Sequence, residues 1–99
     1  MEEKIYLTEL FEVYKDLLTE KQREVFEMHF VLDLSLSEMA EEKGITRQNA
    51  SDALKNAKEK LFSLEKTLKI KEKNDELVSL ADEIKDKKIS ERIKNVIGR

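Results

Sequence analysis

The sequence predicts an all-α protein built around a helix-turn-helix. Three observations carry that reading. Apolar residues recur at three- and four-residue spacing along most of the 99 positions. The chain has no proline and two glycines, punctuation that suits long helices joined by short turns and leaves few turn signals for a sheet. Two pairs, Thr19 with Gln22 and Ser35 with Glu38, have the spacing of capping boxes, in which a hydroxyl and a side-chain carbonyl or carboxylate satisfy two orphan backbone donors at a helix start.

The first helix is expected from about Glu3 to Leu18, with Leu7, Leu10, Phe11, Tyr14, Leu17 and Leu18 forming one apolar stripe. Thr19 caps the second, from Glu20 to about Leu32. Its apolar residues Val25, Phe26, Met28, Phe30, Val31 and Leu32 cover much of its circumference, as in a helix packed by more than one neighbour. Ser35 opens a third helix, which ends at Gly44, where only glycine adopts the left-handed conformation cheaply. Thr46 caps a fourth, expected to run to about Leu68 with Ala50, Ala53, Leu54, Ala57, Leu61, Leu64 and Leu68 near a heptad seam.

Residues 69–76 read as a charged hinge. A helix capped by Asn74 follows, with Leu77, Leu80, Ala81 and Ile84 on one face, then a short last helix carrying Ile89, Ile93, Val96 and Ile97. These stripes are too short to stand alone. The expected organisation is therefore a helix-turn-helix domain over 1–69 and a C-terminal helical extension over 70–99 that docks on the long helix or on a partner. A seam as long as 46–68 outruns its own domain, so a homodimer through it or through the C-terminal helices is expected.

The centre of interest is residues 35–54. Ala40 is small where a second helix crosses, and Ile45, Ala50 and Leu54 supply apolar contacts across the turn, the layout of a helix-turn-helix. The same layout also serves a plain helical corner that touches no nucleic acid. The polar outer face of the second helix favours recognition: Arg47, Gln48, Ser51, Asp52 and Lys55 face outward, with Lys58 and Lys60 beyond to meet phosphates. Arg and Gln make bidentate bonds to guanine and adenine edges. Asp52 fits less easily, since a carboxylate near phosphates is unfavourable unless it accepts from a cytosine amino group.

Net charge is −3, which disfavours indiscriminate nucleic-acid binding. Its distribution is more telling. Residues 1–45 hold five basic and twelve acidic side chains; residues 46–69 hold six and three. The positive segment coincides with the candidate recognition helix, where an electrostatic footprint belongs. The acidic front half repels phosphate or meets a basic protein.

Catalytic groupings are missing. His29 is the single histidine and sits on a largely apolar helix as a boundary residue. There is no cysteine, hence no disulfide, thiolate or zinc cluster, which fits a reducing cytoplasm. No glycine-rich phosphate loop and no nucleophile beside a base occur. The pairs Glu41-Glu42 and Asp82-Glu83 are adjacent, so helix geometry points their carboxylates apart. An enzyme is not expected, nor a cofactor, a signal peptide or a membrane span. Single-stranded RNA binding, which interleaves stacking aromatics with basic residues, is disfavoured. Phe62 is the lone aromatic after Val31, Phe11, Phe26 and Phe30 suit a core, and Tyr6 and Tyr14, expected to be partly exposed, lie in the acidic half.

The string Leu18-Thr19-Glu20-Lys21-Gln22-Arg23-Glu24-Val25, then Leu34 to Ile45, then Thr46-Arg47-Gln48-Asn49-Ala50, resembles region 4 of bacterial sigma-70 factors, in which the second helix of the motif reads promoter DNA. The chain lacks every other sigma region. It is more similar to the YlxM-like helix-turn-helix proteins, which share the acidic first helix around Leu10-Phe11-Glu12-Val13-Tyr14-Lys15-Asp16-Leu17-Leu18-Thr19 and a helical C-terminal extension. The resemblance covers residues 5–70 well. It implies a sigma-70 region 4-like bundle and a link to the signal recognition particle, because such proteins are encoded beside that particle's GTPase. Three functions follow as expectations: a regulator binding duplex DNA, an accessory of the signal recognition particle binding its structured RNA or its GTPase, and a protein-interaction module without nucleic acid.

Overall fold

A computed structural model describes residues 2–97. It is all-helical, in the order α1 (Glu2–Tyr14), α2 (Glu20–Phe26), α3 (Leu36–Lys43), α4 (Arg47–Leu68), α5 (Ile70–Asp82) and α6 (Lys87–Ile97). A 3-10 turn, Lys15–Leu17, follows α1, and a π-helical segment, Glu27–Val31, follows α2. The chain forms two compact units, one up to Thr67 and one from Leu68 onward.

In the first unit both capping boxes form as spaced. Thr19 Oγ1 accepts from the Gln22 amide at 3.1 Å while Gln22 Oε1 accepts from the Thr19 amide at 2.9 Å. Ser35 and Glu38 repeat the exchange at 3.1 and 2.9 Å. These bonds fix where α2 and α3 begin.

Two apolar clusters share the interior. One holds Leu7, Leu10, Phe11, Tyr14, Leu18, Phe26 and Leu61, joining α1, α2 and the middle of α4. The other holds Val25, Met28, Met39, Ala40, Ala50 and Leu54, joining α2, α3 and the start of α4. Phe30 packs against both. Phe11, Phe26 and Phe30 form a stack with ring centroids 4.4 and 4.5 Å apart.

Several expectations need correction. The first helix stops at Tyr14, and the 3-10 turn that follows leaves Leu17 exposed while Leu18, in extended backbone, returns to the core. Tyr14 is buried, at 1% exposure, because its hydroxyl has an internal partner: Oη donates to Glu65 Oε1 at 2.5 Å. The second helix does not remain α-helical to Leu32. Its π segment adds a residue to the turn and splits the apolar run. Met28 is buried and Phe30 half-buried, whereas Val31 and Leu32 are exposed. His29 behaves as a boundary residue: half-buried, its Nδ1 donating to the Leu34 carbonyl at 2.9 Å, its ring edge-on to Phe30.

In the second unit the charged hinge contracts to one residue. Lys69 adopts the left-handed conformation (φ 54°) and α5 starts at once. Lysine and glutamate are good helix formers, so the charged run becomes helix surface, with Lys71 paired to Asp75 one turn on. Asn74 lies mid-helix and caps nothing. The last helix begins at Lys87, earlier than its apolar residues suggest, because Asp86 Oδ1 accepts from the Lys88 and Ile89 amides at 3.0 and 3.3 Å. Small residues let α5 and α6 approach: Ala81 is fully buried, and Ser90 Oγ donates to its carbonyl at 2.8 Å. An ion pair between Lys94 and Asp82 closes one side.

Candidate nucleic-acid interface

The turn that presents α4 is built by three residues. Gly44 ends α3 at φ 67° and ψ 34°, its amide bonding back to the Ala40 and Glu41 carbonyls. Ile45, half-buried against the second cluster, bonds through its amide to the Ala40 carbonyl at 2.9 Å. Thr46 Oγ1 then accepts from the Asn49 amide at 3.0 Å and starts α4. Ala40 and Ala50 are both buried in one cluster, so the two helices cross through small side chains. Ala50, Leu54, Ala57, Leu61 and Glu65 mark the inward side of α4. The residues opposite, Gln48, Asp52, Lys55 and Glu59, are exposed.

The structure sorts the seven candidate residues into groups. Gln48, Asp52 and Lys55 are exposed and follow one another around a single face. Arg47, exposed, and Ser51, half-buried, flank that face. Gln48 Nε2 donates to Asp52 Oδ1 at 3.0 Å, so the amide and the carboxylate already satisfy one another. Lys58 turns toward α1, where its Nζ lies 3.3 Å from Glu3 Oε1. Lys60 is exposed but stands five positions after Lys55, about 140° further round the helix. It therefore belongs to a different face.

On the side of α4 nearer Lys60 runs a groove of about 360 Å³, lined by Thr19, Lys21, Gln22, Ile45, Asn49, Asp52, Ala53 and Asn56. Sequence reading passed over Lys21, Asn49 and Asn56. A signal for the two asparagines exists: they stand seven positions apart with Ala53 between them, one stripe of the helix. Lys21 carries no such signal, because only the fold brings the start of α2 beside α4.

The electrostatics are divided. The α3 surface carries Glu38, Glu41 and Glu42, and the Ser35 amide first, then the Ser35 side chain, hold the Glu38 carboxyl below its ordinary value. Lys43 leans back to Glu24 at 2.7 Å. The basic residues that α4 presents away from α1 are thus Arg47, Lys55, Lys60 and Lys66. Among the described residues no group of three or more His, Cys, Asp or Glu is placed to hold a metal ion. No described helix is long and apolar enough to cross a membrane.

The model of the family described as "UPF0122: Putative helix-turn-helix protein, YlxM / p13 like" matches residues 1–97. The chain is 42% identical over 92 residues to a UPF0122 protein of Mycoplasma capricolum subsp. capricolum, covering 93% of this chain and 81% of that one. A UPF0122 protein of Caldanaerobacter subterraneus subsp. tengcongensis is 40% identical over 82 residues, 83% of this chain and 70% of its own. One from Ureaplasma parvum is 38% identical over 91 residues, 92% of each.

Proposed function

Because this chain belongs to the UPF0122 family of YlxM- and p13-like helix-turn-helix proteins, we propose that it is a nucleic-acid-binding regulatory protein that sets α4 in the major groove of duplex DNA. The observation that supports this reading is the exposed row Gln48, Asp52 and Lys55 with Arg47 and Ser51 beside it, on a helix whose start is fixed by Gly44 and Thr46. In this reading Arg47 and Gln48 address base edges, the Gln48 amide exchanging Asp52 for an adenine. Lys55 and Lys60 meet phosphates, and Lys58 joins them on leaving Glu3. One such helix reads few bases, so two copies act together on paired half-sites.

The test is binding-site selection from a random duplex pool with the intact protein and with Arg47→Ala/Gln48→Ala. Enrichment of one sequence, lost in the double variant at unchanged helicity, supports the reading. Equal enrichment by the variant overturns it.

The Gln48–Asp52 bond favours a second reading. If that pair stays closed, α4 offers mainly charge, which suits the phosphates and 2′-hydroxyls of structured RNA. An accessory role on the RNA or GTPase of the signal recognition particle fits, with the acidic helices addressing a basic protein. Co-purification with either component should weaken when Lys55, Lys58 and Lys60 become Glu, and no complex at low salt argues against it.

A further inference from the structure

The α5–α6 hairpin carries an apolar face that nothing in its own unit covers. At about 100° per residue, Leu77 and Leu80 lie on one side of α5, roughly a quarter turn from the side that packs on α6 through Ala81, and half-buried Ile84 follows just past the helix end. Ile89, Ile93 and Val96 lie on α6 in the matching direction. The two stripes therefore open on the same side of the hairpin. Leu77, Leu80 and Ile89 are about half exposed, and Val96 is 82% exposed. An apolar surface shared by two adjacent helices marks an interaction site.

The charges along its borders identify the occupant. The outer edge of α5, away from α6, carries Glu76, and the exposed cap residue Glu83 continues that edge. The outer edge of α6 carries Lys88 and Arg92. One border is acidic and the other basic. Such a face is complementary to itself: a two-fold axis running along the helices lays each α5 over the α6 of the other copy and brings each acidic border against a basic one. The alternative two-fold, across the helices, would set acid on acid and base on base. Lys73, the charged residue on the α5 stripe, sits at the open end, where its stem can carry the ammonium to water.

We propose that this face is the site at which a second copy of the chain docks, forming a four-helix bundle from two hairpins. The proposal takes from the DNA reading only the need for two copies and stands on the hairpin's own chemistry. A uniformly basic border would instead suit an anionic lipid surface; the acidic Glu76–Glu83 edge disfavours that.

Sedimentation equilibrium of the full chain, without nucleic acid, tests it. The expected mass at tens of micromolar is twice the 11.6 kDa of one chain. Leu80→Asp/Val96→Asp should return it to the single-chain mass with unchanged circular dichroism, since both side chains already face solvent. Arg92→Glu should weaken the pair, and mixing it with a Glu76→Lys chain should restore a mixed dimer. A single-chain mass at every concentration overturns the proposal, as does a dimer that survives Leu80→Asp/Val96→Asp. Binding of single chains to phosphatidylserine vesicles through this face would likewise overturn it. The DNA reading fails separately, through site selection.

Discussion

Tyr14 and Glu65 are 51 positions apart and meet inside the first unit, the phenol donating to the carboxylate at 2.5 Å. The bond ties the last turn of α1 to α4 beyond the candidate recognition face. A hydrogen bond to a charged acceptor contributes about 1.5–3 kcal/mol. Tyr14→Phe keeps the ring and removes only the donor, so it should lower unfolding free energy by about 2 kcal/mol in a urea titration. Glu65→Gln keeps an acceptor for the phenol and should cost less.

Gly44 offers a cleaner test of backbone strain. A Cβ added there meets nothing within 4 Å, so the cost of Gly44→Ala arises from the left-handed backbone alone. That cost is about 1 kcal/mol. Gly44→Asn should cost less, because asparagine tolerates this conformation better. Thermal melts of the three proteins would rank them Gly, Asn, Ala.

The Glu38 carboxyl is held below its ordinary value of 4.5, first by the Ser35 backbone amide and then by the Ser35 side chain. Its folded pKa lies under the unfolded one, so the stability it contributes is present above the unfolded value and is lost as pH falls through the folded one. The stability of the intact protein should therefore decline below about pH 4.5 more steeply than that of Glu38→Gln, which can still accept from the Ser35 amide without titrating. Denaturant midpoints measured from pH 7 down to pH 3 would show the two curves diverging or not.

The two lysines of α4 nearest the candidate face should differ in their effect on binding. Lys55→Ala should reduce the slope of log affinity against log salt by about one. Lys58→Ala should reduce it by less, because Glu3 already shares that charge. Glu3→Gln should strengthen binding at low salt. Fluorescence anisotropy with a labelled duplex across a salt series distinguishes these outcomes.

What could be read in advance follows from how local each cause is. Both capping boxes and the Gly44 stop are satisfied within four residues, and they formed where their spacing put them. The outward exposure of Gln48 and Lys55 follows from helix periodicity, and that of Arg47 from its place at the first position of α4. The π segment was not, because a run such as Met28-His29-Phe30-Val31-Leu32 satisfies either period until tertiary packing selects one. Burial of Tyr14 and Glu65 needs a partner 51 positions away, and a lone glutamate on an otherwise apolar seam reads as surface. The retreat of Lys58 from the candidate face has the same origin, since only the fold brings Glu3 beside it.

Phe30 packs against both apolar clusters, and the stack from Phe11 through Phe26 ends on it. α1 and the helix-turn-helix consequently cannot loosen independently: opening either one exposes the same ring. The first unit should behave as a single foldon in amide exchange, with α1 protected nearly as strongly as α4. A ligand that holds α4 should then slow exchange along α1 as well.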